Sequence, residues 1–189
     1  MPTYIVAANP KGMEVARELV AWSAWIALGC YALAWFRGLR CHPVTPGITS
    51  SVQPDRGWWT ATGLMFWIHF LLAFQVEHSW SHRAALLHTA RRTGEMVGWE
   101  LGYGLYVNYL FLIAWVVDIT WYWVSPTGYP VRRPWIARSI HAFFLFVIIN
   151  GAVVFVQGPM RWISMLVLSV LGILWRSRVL AKTESGPAP

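Results

Sequence analysis

Along this chain the apolar residues come in long blocks rather than in stripes, and the blocks carry almost no polar face of the kind a soluble helix shows. Asn9-Pro10 reads as a helix start, with Asn as cap and Pro at the first helical position. Glu14, Arg17 and Glu18 follow at an interface, Leu19 to Phe36 form the first apolar run, and Gly38 and Arg40 close it. Cys41 to Gly57 is a loop rich in Pro, Ser, Thr and Gly. Trp58 to Val76 forms a second block and contains His69. A third block spans Leu101 to Val124 and ends in the turn Ser125-Pro126-Thr127-Gly128, before the basic segment Arg132-Arg133-Pro134. The last region, Ile140 to Trp175, is too long for one crossing, and Gly158-Pro159 divides it into Ile140–Gln157 and Met160–Trp175.

A hydrocarbon core of roughly 30 Å takes about 20 helical residues, so blocks of this size predict membrane spans. The expectation is an all-α polytopic integral membrane protein with five transmembrane helices in one bundle. The spans fall at 17–36, 58–76, 101–124, 140–157 and 160–175, within a single domain over 1–176. Residues 177–189 are expected to form a disordered tail. No internal repeat is visible. Residues 77–95 separate the second and third blocks and carry Ala84, Ala85, Leu86 and Leu87 without a proline, which predicts an interfacial, histidine-rich helix.

Composition sharpens this reading. Of 189 residues, 57% are hydrophobic and 12% charged, against about 25% charged in a soluble domain. The net charge is +7, but the Lys and Arg sit at the ends of apolar blocks, where they fix topology and meet anionic headgroups. The expected partners are therefore the lipid bilayer and other membrane subunits, with no nucleic acid. Met1 to Met13 has no basic region leading straight into an apolar core, so the first span is expected to act as an uncleaved signal anchor. Cys30 and Cys41 have no CxxC spacing and support neither a disulfide nor a thiolate metal site.

Tryptophan placement agrees with five crossings. Trp35, Trp58, Trp59, Trp121, Trp123, Trp135 and Trp175 fall towards one interface, Trp22, Trp25, Trp80, Trp99 and Trp162 towards the other, and Trp67 and Trp115 inside spans. On the N-terminal side lie Lys11, Arg17, Arg83, Arg91, Arg92 and Arg161, and the remaining nine of the 15 Lys and Arg lie opposite. That imbalance favours an outside N-terminus and a cytoplasmic C-terminus. In a bacterium the location would be the cytoplasmic (inner) membrane.

Candidate chemistry gathers between Glu77 and Glu100. On one helix His78 and His82 would lie one turn apart, about 40° from each other, the spacing that helical zinc sites use for two ligands. His88 stands about 120° around and about 9 Å along from His82, so it joins them only if the helix bends. With Glu77 and Glu95 these residues form a candidate metal set, of a donor type suited to Zn, Fe or Cu(II). Interfacial side chains solvated by water and headgroups are the competing explanation, because Trp80 marks an interface. A second candidate is an intramembrane polar pair, Asp118 near the end of the third span and His141 near the start of the fourth. Their similar depth would let them meet across neighbouring helices. His69 and His141 lie at different depths, which argues against bis-histidine haem. Gly102 and Gly104, at the mouth of an apolar span, are expected to let helices approach closely.

Three function classes follow. The first is an accessory or structural membrane subunit, which needs no site. The second is a metal-dependent membrane enzyme centred on His78 and His82. The third is a proton-coupled carrier using Asp118 and His141. No reaction, substrate or catalytic residue is assigned by the sequence.

Overall fold

The computed structural model describes residues 10–41, 53–154 and 159–184, and among them the chain is all-helical. The elements are α1 (Pro10–Cys41), α2 (Arg56–His78), α3 (His82–Val97), α4 (Gly104–Val124), α5 (Pro134–Ile149), a π-helical turn over Asn150–Val154, and α6 (Pro159–Glu184). Among the described residues four segments are long and apolar enough to cross a membrane: Lys11–Gly38, Arg56–His78, Gly104–Val124 and Pro134–Val153. The apolar part of α6, Arg161–Leu174, is shorter. The helix itself continues to Glu184, past the point where the apolar pattern ends the last span. Most of the loop that precedes α2, and the Gly158 half of the Gly158-Pro159 break, lie outside the described residues.

α1 packs along α2, α2 on α4 and α4 on α5, while α6 lies against α1 and the π-helical turn. The first pair is antiparallel and is tied at both ends. Arg17 meets Glu77 at 3.5 Å at one end, and Arg37 meets Asp55 at 3.7 Å at the other. Asp55 also caps α2, its side chain accepting from the Trp58 N–H, and its own N–H donates to the Ala34 carbonyl at 2.8 Å. Here the chain before α2 crosses so close over α1 that a Cβ on Gly38 would collide with the Gln53 carbonyl. The Pro54 carbonyl accepts from the Tyr122 hydroxyl at 3.0 Å, which joins this crossing to α4.

The core is aromatic. Trp59 of α2, Trp115 of α4 and Phe144 of α5 pack as a stack, with ring centroids 4.3 and 4.4 Å apart and the last two rings parallel. Pairs of this kind contribute about 0.5–1.5 kcal/mol beyond the area they bury. Gly63 makes room for the stack, since a Cβ there would sit 3.1 Å from the Trp115 ring. Trp59 is therefore a core residue, fully buried, and not a member of an interfacial belt.

Between α2 and α3 the chain turns a corner. Ser79 and Trp80 take left-handed backbone conformations (φ 47° and 61°), the Ser79 N–H donates to Gln75 and the Trp80 N–H to the Phe74 carbonyl. The Trp80 ring packs on Phe74 at 5.8 Å, giving the apolar contact that accompanies such a cap. Ser81 then starts α3, its hydroxyl accepting from the Ala84 N–H. α3 lies across the ends of α2 and α4. Gly102 and Gly104 face it, because a Cβ at these positions would meet Leu86 and Thr89.

Candidate functional site

Two polar clusters sit at opposite ends of the bundle. The first is enclosed. Asp118 lies on the inner face of α4, fully buried, and its Oδ2 accepts from the Trp59 indole at 2.8 Å and the Tyr129 hydroxyl at 2.7 Å. Arg132 places a guanidinium nitrogen 3.5 Å from Oδ1, with both side chains shut off from solvent (1% and 0% exposed). Arg132 reaches that depth because residues 125–133 fold back under the bundle as a plug. The Tyr129 N–H donates to the Ser125 carbonyl, and the Tyr129 ring stacks on Tyr122 at 4.0 Å. The guanidinium lies 3.6 Å over the centre of the Tyr129 ring, where the electron-rich face supports its charge. Burial, and after it the Asp118 charge, push the Tyr129 hydroxyl's pKa upward, so that hydroxyl stays protonated and donates.

His141 completes this cluster from α5. Its Nε2 lies 3.3 Å from an Arg132 nitrogen, and arginine only donates, so Nε2 accepts. The imidazole packs edge-on between Trp35 and Trp59, at 5.0 and 5.4 Å. Asp118 and His141 thus belong to one cluster, and what joins them is Arg132. The sequence points to the two ends of this chain of contacts but treats Arg132 as a topogenic surface charge. The available signal was the cost of an ionised carboxylate inside a span, which calls for a cation. The first basic residues after Asp118 are Arg132 and Arg133. Arg133 remains exposed.

The second cluster is open and lies where α2 meets α3. Glu77, His78, Ala84, Leu87, His88, Arg91, Arg92 and Glu95 line a groove of about 390 Å³. The corner at Ser79–Trp80 breaks the helix on which His78 and His82 would share a face, and it regroups the histidines. His78 of α2 faces His88 of α3, ring centroids 5.1 Å apart and nearly perpendicular. His82 turns away to α4, where its Nδ1 lies 3.0 Å from the Tyr109 hydroxyl and the two rings stack. The His78–His82 pairing is thus replaced by His78–His88, through the bend that His88 needed. Glu77 is engaged by Arg17 and Glu95 by Arg92, the latter at 2.7 Å. Among the described residues no three His, Cys, Asp or Glu side chains converge as a metal-holding group.

His69 belongs to neither cluster. Its Nδ1 lies 3.1 Å from both the Ser23 hydroxyl and the Val20 carbonyl, so it ties α2 to α1.

The chain matches no protein-family model, no curated protein and no solved structure.

Proposed function

We propose that this chain is a small integral membrane protein that crosses the bilayer five times and serves as a structural or accessory subunit of a membrane assembly. In a bacterium the host bilayer is the cytoplasmic membrane. Four segments of spanning length and composition support insertion. For the fifth crossing we take α6, whose 26 residues measure about 39 Å and are flanked by arginines able to snorkel to the headgroups. One observation carries the subunit role: the deep charges are committed to holding helices together. Asp118 and Arg132 bind each other and engage α2, α5 and the Ser125–Arg133 plug, so their chemistry is spent on assembly.

Gentle extraction from native membranes followed by native mass measurement tests this role. A stoichiometric complex well above the 21.6 kDa of one chain is expected. A lone chain throughout would overturn the subunit reading. Reconstituted vesicles with an internal pH dye separate it from the carrier class. Proton flux through the wild-type chain that disappears in Asp118→Asn, with that variant still folded at the assay temperature, would favour a carrier. Stoichiometric zinc, iron or copper that is lost in His78→Ala/His88→Ala would establish a metal site in the groove and favour the metal-dependent enzyme class.

A further inference from the structure

We infer that the groove between the end of α2 and α3 is a phosphate-ester site that holds the headgroup of an anionic phospholipid, with His78, His88 and Arg91 as its donors. Its position comes first. His78 is the last residue of a spanning-length helix, and α3 leaves that helix at a sharp corner, so the groove lies at headgroup level. Trp80, Trp99 and Tyr103, all strongly exposed around α3, are the amphipathic rings that settle at that level.

Charge comes second. The two carboxylates in the groove are already taken, Glu77 by Arg17 and Glu95 by Arg92. Arg91 has no carboxylate partner among the described residues, and it points its charge to the same groove as the His78–His88 pair. Two imidazoles and a guanidinium around a space of about 390 Å³ suit the tetrahedral oxygens of a phosphodiester. The wall supplies the third argument. Leu87, half exposed, offers an apolar edge beside the donors, which a lipid uses and a free phosphate does not. Basic pockets between spanning helices hold anionic headgroups in other membrane proteins.

The inference rests on membrane insertion but not on the subunit role. A chain that stays monodisperse in detergent-free buffer sinks insertion and this site together, whereas a lone chain in detergent leaves the site intact. The test is native mass spectrometry of the purified full chain with equal amounts of phosphatidylglycerol and phosphatidylcholine. Wild type is expected to retain phosphatidylglycerol preferentially. Arg91→Ala should cut that preference about fivefold and His88→Ala/Arg91→Ala should abolish it, while Arg91→Lys keeps most of it. Arg138→Ala, at the opposite end, should leave it unchanged. Far-UV circular dichroism confirms that the variants, changed only at exposed positions, remain helical. Equal retention of the two lipids, or a preference that survives His88→Ala/Arg91→Ala, would overturn the proposal. Inorganic phosphate that displaces phosphatidylglycerol and raises thermal stability as much by itself would also overturn it, in favour of a small-anion site.

Discussion

Asp118 and Arg132 are each nearly inaccessible to solvent, and each makes the other tolerable. Removing one partner of such a pair typically costs about 3–5 kcal/mol, because the survivor is left buried and uncompensated. Asp118→Asn preserves an acceptor for Trp59 and Tyr129 yet strands the guanidinium. It and Arg132→Met should therefore each lower the unfolding temperature in detergent markedly. The double variant should lose clearly less than the sum of the two, as a double-mutant cycle would read out. Strict additivity would mean that the pair is not coupled. Tyr129→Phe should be milder, about 1–3 kcal/mol, since it removes one of the two hydrogen bonds to Oδ2. Asp118 is legible in the sequence because a carboxylate inside an apolar block is conspicuous. Arg132 is not, because an arginine just beyond a span looks the same whether it faces water or folds back under the helix. Only the plug geometry, with Tyr129 stacked on Tyr122, separates the two cases.

The helices themselves follow from the apolar blocks, and their starts at Pro10, Pro134 and Pro159 suit the first-turn preference of proline. The corner between α2 and α3 is less legible. Neither Gly nor Pro marks it, and a serine and a tryptophan occupy the left-handed positions. Its sequence trace is Ser81, the cap of α3, which is easily lost among Ser79, Trp80 and the histidines. That single corner decides the histidine cluster, since it exchanges a His78–His82 pairing for His78–His88. The crossing over α1 carries a sharper prediction at this scale. Gly38→Ala should destabilise the bundle strongly, because its Cβ would meet the backbone of Gln53 and Pro54 rather than a movable side chain. Gly172→Ala, where no atom lies within 4 Å, is the matching control and should be neutral or slightly stabilising. Thermal unfolding of the two variants side by side decides it.

Taken whole, the molecule has unlike ends: a sealed one built on Asp118, Tyr129 and Arg132, and an open one formed by α3 and its groove. The proposed fifth crossing would place the tail opposite Glu95. Reporter fusions after Trp35, Arg133 and Arg178 should then share one side and a fusion after Glu95 the other, and a tail on the side of Glu95 would leave four crossings. The sealed end also has a consequence for the order in which the chain is made. Trp59 and Asp118 both precede Arg132 along the chain, so the indole is made before the carboxylate and the cation after it. Until Arg132 is seated, Asp118 lacks its counter-charge, and an uncompensated carboxylate in an apolar interior is costly. Seating Arg132 removes that cost. Completion of the plug therefore supplies the one charge that the rest of the buried end lacks among the described residues.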